Sequence, residues 1–592
     1  MTVLFDAAFE RTLDQLCARL ASGPSTDGMA EAWTFDDARR RRAAEGHLAS
    51  RGVSARIRSA YKPLLHFFLE EVEREELSTA TIAYPVHPQA PSNRFLLEAY
   101  PLGALLGGAE VAFRARKDGA FHYDVTLTFK DGRREEFRVA APNRVHTDTA
   151  GETSVSPTGW LRIGGGEGER LETDYERLFE SAMAAVTGHP WTGGEPYFEE
   201  LSIRAELPAE DEPLGFADEV VSLREALHED FYFSLLEVFQ RKSGRPLGDR
   251  GLKPGQIAPG IVKSDGPVRV RVELRPLSRA TDAHPEEPLD RACAPVGEAT
   301  IRAALERIGG EPFEAGTRSG RRVLARHVRR SDGRGSDAPV MISGGQHANE
   351  TTGVVGALRA ASRLVRRPGA HFTVSPLENP DGYALHQRLR ADNPRHMHHA
   401  ARYTALGDDL EYRNAAEAGP HLNEKAIRLE AERRSGARLH LNLHGYPSHE
   451  WTRPLSGYVP RNFAMWTLPK GFFLVMRHHA GWEKAAERLL DRVTAHLGAI
   501  PGLAARNAEQ IALYEIHAGE TGFQVVNGFP CLSSLDERSA VPVTLITEYP
   551  DETIYGEAFS QGHTAQMETV LAAYHAWQEI VREMPPRENG QV

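Results

Sequence analysis

Residues Val340 to Glu350 read VMISGGQHANE and place a histidine and a glutamate directly after an apolar run. The run from Val340 to Ser343 is typical of a buried strand. His347 and Glu350 stand three residues apart just past this strand. An imidazole and a carboxylate at this spacing can bind the same metal ion. We therefore interpret this stretch as the first half of a metal site.

Two later apolar stretches each lead to one further polar residue. Leu439 to Leu443 is followed by His444, and Val543 to Thr547 is followed by Glu548. Together with the first pair, they supply two imidazoles, one carboxylate ligand and a spare carboxylate. These are the groups of a catalytic zinc site with an open coordination position. Each motif alone occurs by chance, so the prediction depends on their joint occurrence after apolar strands.

The placement of these residues at strand ends favours a common site. In open α/β sheets, the functional groups gather beyond the carboxyl ends of the strands. We therefore expect His347, Glu350 and His444 to bind one Zn²⁺ ion, which activates water near neutral pH. Glu548 is our candidate for the general base that takes the proton of the water and later passes it to a leaving amine.

Composition is that of a globular protein with more than one domain. The chain has 592 residues, of which 41% are hydrophobic and 26% charged, and its formal net charge is -12. An acidic chain is not expected to bind nucleic acid. Its cysteines, Cys17, Cys293 and Cys531, form no CxxC pair, so we expect no disulfide framework. Because we find neither a signal peptide nor a long apolar segment, we expect no membrane span and a cytoplasmic location.

Residues 1–278 mix helical and strand-like patterns and predict an α+β domain. Apolar residues at three- and four-residue spacing predict an amphipathic helix near the N-terminus: Phe5, Phe9, Leu13, Leu16 and Leu20. The proline-bearing stretch 279–296 predicts a linker. From residue 297 to 592, short apolar runs alternate with helical patterns, which predicts an α/β domain with a central sheet.

The C-terminal domain resembles the zinc carboxypeptidase family of the M14 type over about residues 297–560. The order of the motifs carries the resemblance: an HxxE motif, an NPDG motif, a histidine and a glutamate. They stand in GGQHANE (344–350), NPDGY (379–383), LNLHGY (441–446) and Thr547-Glu548.

The resemblance implies a function and a fold. It implies zinc held by His347, Glu350 and His444, with Glu548 as general base and acid. It also implies an α/β/α sandwich around a mixed central sheet, and hydrolysis of a C-terminal peptide bond. On this basis we expect a zinc metallocarboxypeptidase, a metalloprotease whose substrate is a peptide. The sequence does not indicate an oligomeric state or a role for the N-terminal domain.

Carboxypeptidases also need cations for the terminal carboxylate of the substrate and for the developing oxyanion. Arg413 is the best match for the carboxylate-binding arginine, although the asparagine that the family often shows beside it is missing. Asp409 resembles the acid that orients the first metal histidine. Arg388, Arg390 and Arg395 follow the NPDG motif and are candidates for the oxyanion arginine. The tyrosine of the family has no convincing match.

Two alternatives remain open. A zinc deacylase of the succinylglutamate desuccinylase and aspartoacylase kind also has an HxxE motif and a later histidine, and its substrate would be an N-acyl amino acid. The stretch Asn379 to Gly382 and the length of the catalytic domain favour the peptidase. The other alternative is a non-catalytic binding protein that has kept the fold. The presence of all three ligands and of Glu548 speaks against it.

Overall fold

The computed structural model describes residues 1–22, 28–279, 286–331, 336–413, 424–463 and 466–584. They form a mixed α/β protein that divides into two compact units. Unit 1 comprises Met1–Pro276, His449–Leu468 and Leu513–Glu520. Unit 2 comprises Leu277–Ser448, Pro469–Ala512 and Thr521–Val592. The domain boundaries predicted above treat each domain as one continuous stretch, whereas both units are built from separate stretches of chain.

Unit 1 is built from small sheets and helices. Its strands are β1 (Thr2–Phe9), β2 (Ala30–Thr34), β3 (Ala55–Ser59), β4 (Leu77–Pro85), β5 (Glu110–Arg116), β6 (His122–Phe129), β7 (Arg134–Ala140), β8 (Asn143–Thr147), β9 (Thr153–Pro157), β10 (Gly159–Ile163), β11 (Glu169–Leu171), β12 (Glu200–Leu207), β13 (Glu212–Pro213), β14 (Val220–Val221), β15 (Gln256–Lys263) and β16 (Val268–Arg275). Its helices are α1 (Thr12–Ser22), α2 (Ala38–Ala49), α3 (Pro63–Glu70), α4 (Arg94–Glu98), α5 (Leu102–Leu105), α6 (Asp174–Gly188) and α7 (Leu223–Lys242). Among the described residues, the four-stranded sheets have the orders β1-β16-β12-β15, β11-β10-β2-β3 and β5-β4-β6-β7.

The N-terminal helix predicted from Phe5 to Leu20 is wrong in its first half. Thr2–Phe9 is strand β1, and the helix begins only at Thr12. The spacing of Phe5 and Phe9 also suits a strand, since residues two apart share one face of a sheet. Antiparallel pairing of β1 with β16 decides between the two patterns.

The segment His449–Leu468 packs into unit 1 against helix α7. The ring of Trp451 stacks on that of Phe233 with centroids 5.3 Å apart. The Arg453 guanidinium, fully buried, donates from Nη1 to Glu237 Oε1 at 2.6 Å. A buried charge is stable only when it is paired, so this contact fixes the segment in unit 1.

Unit 2 is built around one large sheet. Its strands are β17 (Glu311–Gly316), β18 (Arg322–Arg329), β19 (Val340–Gly344), β20 (His371–Ser375), β21 (Leu439–Tyr446), β22 (Phe473–His478), β23 (Gln524–Val526), β24 (Phe529–Leu535) and β25 (Val543–Pro550). Its helices are α8 (Glu298–Ile308), α9 (Thr352–Leu364), α10 (Pro380–Asp392), α11 (Ala426–Ser435), α12 (Glu483–Gly498) and α14 (Glu557–Glu583), and α13 (Leu503–Ala518) starts in it. The nine strands have the order β17-β18-β20-β19-β21-β25-β22-β24-β23.

Parallel and antiparallel pairs occur together in this sheet. The four central strands β20, β19, β21 and β25 are parallel, whereas β18 runs antiparallel to β20 and β22 runs antiparallel to β25. The predicted mixed central sheet is therefore confirmed. Four parallel strands bring four carboxyl ends to one edge of the sheet.

Helices cover both faces of the sheet. Along β19, Val340 and Ile342 point into the core shared with α9, α12 and α14. Met341 points to the opposite face and packs on Ile427 and Ala431 of α11. This alternation is expected of a strand buried on both faces, which explains why β19 is apolar throughout. Within the described residues, no helix is long and apolar enough to cross a membrane.

Candidate metal centre

The ends of three neighbouring strands supply the predicted metal site. His347 follows β19. His444 lies near the end of β21, and Glu548 lies near the end of β25. These strands are adjacent and parallel, and His444 and Glu548 are direct register partners. The sheet thus brings together residues that are up to about two hundred positions apart in the chain.

His347, Glu350 and His444 form a buried group that we call the metal triad. Nδ1 of His347 lies 3.0 Å from Nδ1 of His444 and 2.9 Å from Oε1 of Glu350. Nδ1 of His444 lies 2.9 Å from Oε2 of Glu350. Among the described residues, it is the one set of three or more potential ligands that converges. Two imidazole nitrogens and a carboxylate facing one point fit a single Zn²⁺ ion.

Neighbouring groups orient the metal triad. Oδ1 of Asp409, the acid expected to orient the first metal histidine, lies 3.2 Å from Nε2 of His347. With the proton on Nε2, Nδ1 of His347 keeps its lone pair for a metal. The Gly445 amide donates to Oε2 of Glu350 at 3.0 Å, and Nη1 of Arg402 donates to Oε1 at 2.6 Å.

The charge state of Glu350 follows from these contacts. Burial raises the pKa of Glu350, but the charges of His347, Arg402 and His444 outweigh burial and hold this pKa well below its ordinary value. Glu350 is therefore a carboxylate, the form that binds a metal.

Two glycines allow the backbone to pass close to the triad. Gly345 adopts a φ of +58°, and a Cβ there would lie 2.7 Å from Cδ1 of Leu377. A Cβ on Gly445 would lie 2.1 Å from Oδ1 of Asp551. Asp551 is itself fixed by the amide of Thr352 at 2.9 Å. Larger residues at either glycine would displace the loops that bear the ligands.

Glu548 lies beside the triad and is partly exposed. Burial and the neighbouring charge of Glu350 raise the pKa of Glu548 well above its ordinary value. Lys470 is buried nearby, with Nζ 5.7 Å from the ring centroid of Tyr446 and 5.8 Å from that of Phe473. Burial lowers the pKa of Lys470 to about 7, against the opposing influence of Glu548.

Arg413 is hydrogen-bonded to two neighbouring acidic residues. Its guanidinium donates to Asp408 at 2.7 and 2.6 Å, to Glu424 at 2.5 Å and to Thr404 at 3.2 Å. The Arg413 side chain is 0% exposed. A role in binding the carboxylate of a substrate stays a prediction, and these contacts argue against it because they already occupy the donors.

The other arginines chosen from the sequence lie on or just after α10. Nη1 of Arg390 donates to the carbonyl of Pro295 at 3.0 Å, and the guanidinium of Arg395 lies 5.6 Å from the ring centroid of Tyr555. Arg388 is partly buried on the helix. Their roles as oxyanion arginines stay predictions.

Sequence reasoning missed Arg402 and Lys470. Arg402 contacts Glu350 directly, and Lys470 interacts with Glu548. Neither residue belongs to a motif or follows an apolar strand. One usable signal follows Lys470: Phe472 and Phe473 begin an apolar stretch, so a lysine just before it stands near the start of a strand.

Over about half of its length, the chain is structurally similar to metallocarboxypeptidases. The metallo-carboxypeptidase from Burkholderia cenocepacia is 14% identical, covers 53% of this chain and 73% of its own, and has a TM-score of 0.30. The metallo-carboxypeptidase from Pseudomonas aeruginosa is 16% identical, covers 54% of this chain and 73% of its own, and has a TM-score of 0.29. A putative metallopeptidase from Shewanella denitrificans is 13% identical, covers 46% of this chain and 87% of its own, and has a TM-score of 0.29. No family model and no curated protein matches the chain.

Proposed function

We propose that unit 2 is a zinc-dependent peptidase, a metallocarboxypeptidase that hydrolyses the peptide bond of its substrate. One observation carries the proposal: the ring nitrogens of His347 and His444 and the carboxylate of Glu350 converge beside Glu548. Zinc bound there would supply Lewis acidity, which polarises a carbonyl and activates water. Proton transfer and stabilisation of the developing charge are carried out by side chains of the protein.

Glu548 acts as general base and then as general acid. Its position next to His444 brings it to the metal triad, and its partial exposure makes it accessible to a substrate. The carboxylate takes a proton from the attacking water and returns it to the leaving amine. Both transfers need a carboxyl group that is not itself a ligand, and Glu548 meets that condition because the triad is complete without it.

Arg402 is the cation best placed to stabilise the negative charge that develops on the carbonyl oxygen. Its Nη1 already lies 2.6 Å from Glu350. Nε of Arg402 is buried and has no hydrogen-bond partner among the described residues, and the side chain as a whole is 17% exposed. A fixed guanidinium in a site from which water is excluded stabilises an oxyanion strongly.

The substitution Glu548→Gln tests the assignment. It keeps the size of the side chain and removes its ability to accept a proton. We expect kcat to fall about 10²–10⁴-fold, while zinc content stays at one ion per chain. Glu557→Gln, an exposed position at the start of α14, is the matched control and should keep full activity.

Short peptides and N-acyl amino acids should be assayed side by side. Hydrolysis of the peptides by the parent protein, and its loss in Glu548→Gln, would support a peptidase. Turnover of N-acyl amino acids alone would replace the peptidase by a deacylase. Equal activity of variant and parent would overturn the mechanism.

A further inference from the structure

A cavity of about 410 Å³ lies in unit 2 and shares no lining residue with the metal triad. The first turns of α8, the turn between β17 and β18 and the loop before α10 line it. Its volume is in the range of cavities that bind small organic ligands.

The cavity has an excess of positive charge. Among the described residues that line it, four are basic and one is acidic. The basic residues are Arg279, Arg302, Arg321 and Arg322, and the acidic residue is Glu298. The whole chain has a net charge of -12, so a cluster of four arginines around one cavity departs from the average of the protein.

Two of the four arginines are neutralised locally. Nη1 of Arg321 donates to Oγ of Ser319 at 2.8 Å, and its Nε lies 3.6 Å from Oε1 of Glu298. Nη1 of Arg322 lies 3.1 Å from Oε1 of Glu314. These two guanidinium groups therefore contribute to the walls of the cavity more than to its capacity for a ligand.

Arg279 and Arg302 differ from this pair. Neither makes a hydrogen bond or an ion pair with any part of the chain that the structure describes, and both are exposed. A guanidinium offers five N–H donors in a planar fork that matches carboxylate and phosphate oxygens. Both residues can therefore bind an anion without first breaking a contact with the residues that the structure describes.

The deeper part of the cavity is apolar. Ile301 and Leu377 are 4% and 6% exposed, and Leu324 and Pro380 complete this part of the lining. Helix α8 begins after Gly297 without a side-chain cap, and the helix dipole adds positive potential at the same end. An apolar interior below exposed arginines suits an organic anion better than an isolated inorganic ion.

We propose that this cavity binds an organic ligand with two or more carboxylate or phosphate groups, which Arg279 and Arg302 hold at the entrance. The proposal is independent of the peptidase assignment, because it concerns different residues and is tested by binding alone. The same chemistry is found in small multiply charged anions and in acidic peptide segments, and the experiment separates these sources.

Binding is measured by titration calorimetry on the full-length protein with three probes: citrate, pyrophosphate and a triglutamate peptide. Arg302→Gln and Arg279→Gln remove one charge each from the cavity. Arg307→Gln is the matched control, since it removes the same charge from the last turn of α8, outside the cavity. We expect each cavity variant to weaken binding at least about tenfold, because a charge-assisted hydrogen bond is lost, and the control to change it little.

The outcomes are distinct. Binding of pyrophosphate alone would overturn the organic ligand. Tight binding of citrate identifies a small organic anion, and tight binding of the peptide alone identifies an acidic segment. Either result supports the proposal if Arg302→Gln weakens it and Arg307→Gln does not. Absence of binding for all three probes, or equal effects of Arg302→Gln and Arg307→Gln, would overturn it. Hydrolytic activity enters neither result.

Discussion

Replacing Arg413 by methionine should destabilise unit 2 strongly. The side chains of Arg413, Asp408 and Glu424 are 0%, 1% and 1% exposed. Methionine keeps an unbranched chain, although a shorter one, and removes every donor. Two carboxylates would then remain buried without the cation that compensates them, and burial already raises the pKa of Glu424 despite the presence of Arg413.

The size of the effect follows from these contacts. Removing one partner of a buried ion pair costs about 3–5 kcal/mol, since the remaining charge stays buried and uncompensated. Arg413 serves two carboxylates, so we expect the upper half of that range, about 4–5 kcal/mol. At about 2–4 °C per kcal/mol, Tm should fall by about 8–20 °C.

Calorimetric melting of the full-length protein measures this change. Arg433→Met is the matched control, because the Arg433 side chain is 69% exposed and pairs with Glu430 at the surface. The control should change stability by less than about 1 kcal/mol. KM for a peptide substrate is measured in parallel. An unchanged Tm together with a large rise in KM would refute the structural role and would restore Arg413 as a carboxylate-binding residue.

Two further substitutions test the metal centre of unit 2 and a buried histidine of unit 1. Gly445→Ala should lower zinc affinity about 10–100-fold in chelator competition, because Asp551 leaves no room for a Cβ and the Gly445 amide binds Glu350. Gly498→Ala, whose added Cβ has its nearest neighbour at 3.5 Å, should leave the affinity unchanged. Burial lowers the pKa of His449, but acidic neighbours, mainly Glu225, raise it to about 9 from the ordinary 6.5. The resulting stabilisation is complete below pH 6.5 and lost as the pH rises through 9, so His449→Gln should flatten the dependence of Tm on pH in that window, and an equally steep dependence would contradict it.

The metal triad could be predicted because its ligands stand at or shortly after the carboxyl ends of strands that apolar residues mark in the sequence. Three leucines mark β21 before His444, and Val543, Leu545 and Ile546 mark β25 before Glu548. The contact of Asp409 with His347 could be predicted only through the resemblance to a family.

Other features depend on contacts that no local pattern records. Arg402 reaches Glu350 from a loop, and the side chain of Arg413 is directed by Glu424, which follows it by eleven positions. The strand β1 depends on a partner about two hundred and seventy positions away. In each case tertiary pairing, rather than local spacing, determines the outcome.

The placement of His449–Leu468 in unit 1 has a consequence for dissecting the chain. This stretch leaves unit 2 three residues after β21 ends, and it carries Trp451 and Arg453. A fragment that starts at Leu277 would still contain it, deprived of Phe233 and Glu237. In such a fragment Trp451 would lose its stacking partner and Arg453 would lose its ion pair. Cutting the chain between residues 276 and 277 therefore yields two incomplete fragments, neither of which contains a whole unit.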